Sequence, residues 1–245
     1  MLVIVAAFGA VAGSFAGVVA ERLYTGQSWG RGRSRCNSCA RILSPSDLVP
    51  VVSWLVHGGR CRTCGSGVPV RYLLLEGALA LTFALSYLKL GLSLPFLVLA
   101  VALFVLAVII LYDLRHTVIP QEASMLLVAL SLLFALLTSG SMHAFGGALF
   151  SAGVIGGAFV LAHVLSRGRA MGLGDAPLAF SLSLIAAPLA VTGLIFSFWI
   201  GALCGIIILV KRQGGPKMGI EVPFAPYLAC GYLLAFFTGW NLFPL

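Results

Sequence analysis

Long apolar runs alternate along this chain with polar, arginine-bearing stretches. The runs lie near Leu2–Ala20, Leu73–Lys89, Leu94–Tyr112, Ala123–Thr138, Phe145–Ser166, Pro177–Pro188, Ala190–Val210 and Pro223–Phe243. A helix needs about 20 apolar residues to cross the hydrocarbon core of a bilayer, and the pattern predicts an all-α polytopic membrane protein with about eight such helices. The break between the sixth and seventh rests on Ala186-Ala187-Pro188. The uncharged stretch from Ala176 to Val210 is too long for one crossing, and a proline ends or kinks a helix. The first run lacks a basic leading region and is followed by retained polar sequence, so it is expected to be a span and not a cleaved signal.

Composition and charge sharpen this picture. Of the 245 residues, 60% are hydrophobic and 9% are charged, with a mean hydropathy of +1.09. A soluble domain carries roughly 25% charged residues, and a chain this apolar has ample surface to bury, so soluble and disordered classes are both excluded. Arg22, Arg31, Arg33, Arg35, Arg41, Arg60, Arg62 and Arg71 follow the first run. Arg115 follows the third, Arg167 and Arg169 the fifth, and Lys211, Arg212 and Lys217 the seventh. With eight crossings all of these share one side, and only Lys89 lies opposite. The positive-inside rule makes the basic side cytoplasmic, with both termini outward. Lipid headgroups are natural partners for the basic loops. Topology accounts for the charge without nucleic acid, which is not expected as a partner.

The expected organisation is a first transmembrane helix over 1–20, a cytoplasmic domain over 21–72 and a membrane core over 73–245. The middle segment is too small to build a strong apolar core, so something should staple it. Four of the six cysteines form Cys36-Asn37-Ser38-Cys39 and Cys61-Arg62-Thr63-Cys64, with 21 residues between the pairs. Two such turns close a tetrahedral four-thiolate site, the pattern of structural zinc, and Gly65 suits a tight turn after the second pair. A redox role is disfavoured because no thioredoxin-like pattern surrounds the pairs, and disulfides are disfavoured in a reducing cytoplasm. Cys204 and Cys230, inside apolar runs, read as small core residues.

Carboxylates are scarce enough to be informative. The aspartates are Asp47, Asp113 and Asp175. Asp47, in Ser44-Pro45-Ser46-Asp47, reads as a turn or cap. Asp113 ends the third run, and Asp175 precedes the sixth in Met171-Gly172-Leu173-Gly174-Asp175. Two crossings separate them, so both return to one membrane boundary. Two neighbouring carboxyl groups that share a proton are the chemistry of an aspartyl protease: one activates water and the other polarises the scissile carbonyl. The glycines ahead of Asp175 would let a substrate backbone approach. Simpler readings stand beside this one. Asp113 pairs with Arg115, or Asp175 caps the helix that starts near Pro177.

Taken together, these residues resemble the type IV prepilin peptidases, GxGD-type intramembrane aspartyl proteases that are also N-methyltransferases. Gly13-Ser14-Phe15 and Arg22-Leu23 resemble the family's opening. Arg33 to Cys36, Asp47 to Trp54 and Gly59 to Cys64 resemble its cytoplasmic domain. Arg71-Tyr72 and Glu76 continue the likeness, and Asp113 to Pro120 resembles the first aspartate motif. Gly172-Leu173-Gly174-Asp175 resembles the second, and Val222 to Pro226 resembles the opening of the last span. The resemblance implies catalysis by Asp113 and Asp175, cleavage of a basic leader from prepilin or pseudopilin precursors on the cytoplasmic face, and methylation of the new N-terminus from S-adenosylmethionine. Glu21, Asp47 and Glu76 are candidates to meet the leader, although turn, cap and ion-pair roles are simpler. Gly17, Tyr24, Gln121, Pro177 and Ala225 depart from common family residues, and none is part of the aspartate pair or the cysteine set. No glycine-rich nucleotide fingerprint locates a methyl-donor pocket.

His57, His116, His143 and His163 are dispersed without ligand spacing, and Glu122 suits the N-terminal turn of the fourth span. Gly146, Gly147, Gly153, Gly156 and Gly157 read as a helix-packing surface, with Gly153 and Gly157 at small-xxx-small spacing. Two rival functions predict other behaviour. A proton-coupled transporter would place its acids near the midplane and show inverted repeats. A non-catalytic assembly factor would depend on the cysteines and not on the aspartates.

Overall fold

The computed structural model describes every residue except 27, 29, 31, 170, 212–222 and 243–245. Arg31, Arg212, Lys217, Glu221, Val222 and the tail of the last run at Phe243 therefore lie outside the described residues. The helices are α1 (Leu2–Thr25), α2 (Val52–Val56), α3 (Val70–Leu90), α4 (Leu94–His116), α5 (Gln121–Thr138), α6 (Met142–Ser166), α7 (Asp175–Ile185), α8 (Ala190–Lys211) and α9 (Ala225–Thr238). A single 3-10 turn, Pro45–Leu48, precedes α2. Among the described residues there are no strands, only isolated bridges at Arg35–Ile42 and Arg60–Gly67.

All eight apolar runs are helical, and the chain is a multi-pass membrane protein. Among the described residues six helices are long and apolar enough to cross a bilayer: α1, α3, α4, α5, α6 and α8. The other two are shorter than the runs that contain them. Helix α7 has 11 residues and begins at Asp175, while α9 has 14 and stops where Gly239 turns left-handed at φ 68°. At 1.5 Å per residue α9 covers about 21 Å, less than a hydrocarbon core of about 30 Å. Helix α1 runs the other way, continuing beyond Ala20 to Thr25 until Gly26 caps it at φ 67°.

Contacts at the two ends fix the relative directions. Glu21 near the end of α1 meets Arg115 near the end of α4, and Arg115 reaches Tyr72 near the start of α3. The start of α9 touches Asp113. At the opposite end Lys89 donates to the Phe236 carbonyl and lies 4.2 Å from the centre of that ring, tying α3 to α9. One end thus gathers Glu21, Tyr72, Asp113 and Arg115.

Helix α4 is the hub, with 61% of its most apolar stretch buried against only 17% for α3 and α8. Between apolar helices in lipid, close packing replaces the hydrophobic effect as the cohesive force. Glycines provide it, but not where the sequence placed them. Gly146, Gly147, Gly153 and Gly157 on α6 face open space, and only Gly156 meets a neighbour, Phe180 of α7. The tight crossings belong to other glycines. A Cβ on Gly9 or Gly13 would stand 2.6 or 2.8 Å from the backbone of α3, and one on Gly231 would stand 2.2 Å from the Ser197 nitrogen of α8. Cys230 also departs from expectation, because it is exposed on α9 and not a core residue.

Candidate active site

Helix α4 carries Asp113 in its last turn, where Thr117 ends the helix at φ 52° by donating its N–H to the Asp113 carbonyl at 2.8 Å. The Asp113 side chain is 5% exposed. One oxygen, Oδ2, accepts the backbone N–H of Ala225 at 3.1 Å. That N–H is free for the purpose because the first N–H groups of a helix have no partner within it. The motif opening the last span therefore supports an aspartate through its backbone, while the Ala225 methyl is fully buried in the core. Sequence patterns signal the motif but not this use.

Asp175 is the first residue of α7, with Gly174 in the N-cap position, so the capping reading is displaced by one residue. Its Oδ2 accepts the Gly172 N–H at 3.1 Å. The glycines here serve the loop itself. A Cβ on Gly174 would lie 2.9 Å from the Cβ of Ile119, whereas one on Gly172 would only touch the Asp175 carboxylate at 3.4 Å. Helix–loop–helix segments that are far apart in sequence are locked together at this point. His163 adds a second tie, its Nδ1 lying 2.9 Å from the Met171 carbonyl at the start of the glycine loop. Dispersed histidines gave no sign of this.

Both aspartates are buried, at 5% and 8% exposure. Each has one oxygen held by a backbone N–H, which leaves the other oxygen for chemistry. Asp113 does not pair with Arg115. That guanidinium instead meets Glu21 at 3.6 Å and the Tyr72 hydroxyl at 3.4 Å. His116 is stacked on Tyr24, with ring centres 3.7 Å apart, and Glu122 lies exposed in the first turn of α5.

The four cysteines of the insert converge, with all four Sγ atoms within 4.8 Å of one another. The Cys36 and Cys64 sulfurs are 3.8 Å apart, about the edge length of a zinc tetrathiolate with Zn–S bonds of 2.3 Å. Two matching turns build the site. Ala40 N–H bonds to Cys36 carbonyl at 2.9 Å and Gly65 N–H to Cys61 carbonyl at 3.0 Å, with φ 56° and 69° respectively. Backbone N–H groups of Cys39 and Ser38, with the Ser66 hydroxyl, bring the Cys36 thiol down to about 6, and Ser66 lowers Cys64 as well. The donor set fits a structural zinc ion.

The acids of the insert are already engaged. Asp47 accepts from the Ser44 hydroxyl at 2.6 Å and Ser44 N–H at 2.9 Å and pairs with Arg41 at 2.7 Å. The Ser44 hydroxyl and N–H, then Arg41, hold its carboxyl below the ordinary 3.8. Glu76, 9% exposed, accepts the N–H of Val51 at 2.7 Å, the residue that turns at φ 62° into α2.

Residues 7–90 match the family model described as the Bacterial Peptidase A24 N-terminal domain. A prepilin leader peptidase/N-methyltransferase of Bacillus subtilis is 30% identical over 246 residues, 98% of this chain and 95% of that protein. One of Myxococcus xanthus is 34% identical, over 85% of this chain and 64% of its own length. The type 4 prepilin-like proteins leader peptide-processing enzyme of an Escherichia coli strain is 29% identical over 84% of this chain and 77% of its own. No solved structure matches.

Proposed function

The chain belongs to the prepilin leader peptidase/N-methyltransferase family, and from that premise we propose that it removes the basic leader of type IV prepilin or pseudopilin precursors and then methylates the exposed N-terminus. Asp113 and Asp175 form the catalytic pair of an intramembrane aspartic endopeptidase at the cytoplasmic face of the inner membrane. What supports this reading is that two buried aspartates, each with one oxygen held by a backbone N–H, flank segments that pack together through Ile119 and Gly174.

The pair holds one proton between two carboxyl groups. The ionised member takes a proton from water as hydroxide adds to the scissile carbonyl, and the protonated member gives its proton to the carbonyl oxygen. Collapse then breaks the C–N bond: the leaving amine takes up the proton abstracted from water, and one hydroxyl of the intermediate returns a proton to the carboxylate that had given its own, restoring the pair. The backbone N–H groups of Ala225 and Gly172 keep both carboxyl groups oriented throughout. A precursor with a charged leader and an apolar helix matches a site at the membrane boundary. When bound, S-adenosylmethionine would supply a sulfonium methyl group for the new amine and leave as S-adenosylhomocysteine.

Within this reading the segment over residues 21–72 is a cytoplasmic domain held by a zinc ion on Cys36, Cys39, Cys61 and Cys64, and residues 73–245 are the peptidase core. Four thiolates leave no open coordination position, so the metal takes no part in hydrolysis. Mass spectrometry of a pilin-like precursor incubated with the reconstituted protein tests the proposal. Loss of the leader, plus one methyl increment that requires S-adenosylmethionine, is expected. An intact precursor across several pilin-like substrates would overturn it.

A further inference from the structure

Ser124 lies in the first turns of α5 with 2% of its surface exposed, and its hydroxyl has no hydrogen-bond partner among the described residues. The other buried hydroxyls there are all partnered. Ser86, Ser131, Ser181 and Ser197 donate to a carbonyl three or four residues earlier. Ser183 meets the Tyr232 hydroxyl, and Thr192 accepts the Leu242 N–H. Arg41 and His116 also carry a buried nitrogen without a partner, but Arg41 pairs with Asp47 through another nitrogen and His116 stacks on Tyr24. A hydroxyl kept from water without a partner is costly. A serine inside a helix ordinarily settles that cost with the carbonyl one turn back, and Ser124 does not.

We propose that Ser124 holds the water that attacks the scissile carbonyl, an inference that rests on the aspartic-peptidase reading above. Its place in the bundle points there. Ser124, Leu127, Ser131 and Phe134 are the buried residues of α5 at three- and four-residue spacing, so they share one face. Helix α5 packs on α4 and on α7, the two helices that carry Asp113 and Asp175. Leu127, one turn beyond Ser124, shares a core with Ile109 of α4 and Leu178 of α7. Depth agrees as well. The short connection over 117–120 makes α4 and α5 antiparallel neighbours. Asp113 and Ser124 each stand three residues, about 4.5 Å, inside the joined ends of these helices. Asp175 is brought to the same end by Ile119, which meets Gly174 one residue before Pro120 opens α5.

A hydroxyl carries one donor and two acceptor positions, and a buried water needs at least about two polar partners to be held. Ser124 Oγ accepts one O–H of the water while the ionised aspartate takes the proton of the other. The lone pair of the water is then left to form the C–O bond. Ser124 keeps its own proton throughout, so the proton balance of the aspartate pair is unchanged. Its contribution is orientation of the nucleophile.

The test is cleavage of a pilin-like precursor by the full-length protein in nanodiscs, with kcat and KM measured across pH. Ser124→Ala removes the hydroxyl without adding bulk and should lower kcat at least about tenfold. Its KM should not change, and its melting temperature should be no lower than wild type, because the hydroxyl it removes has no partner in the fold. Ser124→Thr and Ser124→Val have nearly one shape and differ in the hydroxyl, so any crowding is common to both. The threonine variant should exceed the valine variant in kcat by at least about tenfold. The pH limbs of kcat should stay in place, since the hydroxyl touches the water and not a carboxyl group. Wild-type kcat in Ser124→Ala would overturn the assignment. So would a loss that tracks the melting temperature, or a moved pH limb, which would give Ser124 to the fold or to an aspartate. A wild-type protein that cleaves no precursor would instead overturn the peptidase reading itself.

Discussion

Ile119 fills the space in which Gly174 would otherwise carry a side chain, with its Cβ 2.9 Å from the position a Gly174 Cβ would take. Gly174 itself has φ −64° and ψ −22°, ordinary helical values open to any residue. The requirement for glycine is therefore one of room and not of backbone conformation. It joins the loop after Asp113 to the turn before Asp175.

Gly174→Ala should consequently damage the site by overpacking, at a cost of about 1–3 kcal/mol. Leader cleavage should fall with it. The double variant Gly174→Ala/Ile119→Gly should recover part of both, because only removal of the Ile119 Cβ returns the space. Thermal stability and cleavage measured across the four proteins of this cycle check the claim, and additive losses would refute it.

Asp113→Asn and Asp175→Asn each keep an oxygen that accepts the Ala225 or Gly172 N–H. Either change should leave the fold intact while lowering cleavage by at least about a thousandfold, as expected for loss of an acid–base partner. The check is cleavage by purified variants whose melting temperatures match wild type. Substantial activity in either would remove the pair from the mechanism.

The membrane runs were legible because apolar length is a strong signal, and the cysteine pairs were legible because ligand spacing is local. Asp113 and Asp175 stood out through scarcity. What the sequence concealed is contact between distant segments. Ala225 N–H on Asp113, Ile119 on Gly174 and His163 on Met171 are one-to-one fits with no periodicity. The glycines misled for a related reason. Small-xxx-small spacing on α6 describes a face that remains open, whereas the tight crossings use Gly9, Gly13, Gly193 and Gly231. Spacing tells which residues share a face, not which face meets a neighbour.

The insert has little core of its own, and neither its 3-10 turn nor α2 contains a buried residue. Its stability should depend on the metal. One zinc per chain is expected by atomic emission, and Cys61→Ser should weaken its retention against a chelator by at least about a hundredfold. Proteolysis should then cut within residues 26–69 while the helices stay intact. A variant that loses zinc but resists proteolysis would contradict the stapling role.

Asp47 gives the insert an acid limit. Its carboxyl is held below 3.8 by the Ser44 hydroxyl and N–H and then by Arg41. A depressed folded value means that the ionised form is favoured by folding. The stabilisation is therefore complete above the ordinary carboxylate range and disappears as pH falls through the lowered value. Asp47→Asn should be less stable than wild type at neutral pH, and the gap should close on acidification below about 4. Trp54 fluorescence during denaturant titration at several pH values reads this directly, and a gap independent of pH would rule out the charge as its source.

The two cysteine turns make matched demands on the residue that follows each second cysteine. Gly65 occupies the left-handed region at φ 69° without cost, but Ala40 is held there at φ 56° with a Cβ that disfavours it. No neighbour stands within 4 Å of a Cβ built on Gly65, so conformation alone decides the outcome at that position. Ala40→Gly should stabilise the insert by about 1 kcal/mol, and Gly65→Ala should destabilise it by a similar amount. Chelator-induced unfolding followed by fluorescence measures both changes. Shifts of equal sign would show that the two turns are not the conformational equivalents their hydrogen bonds indicate.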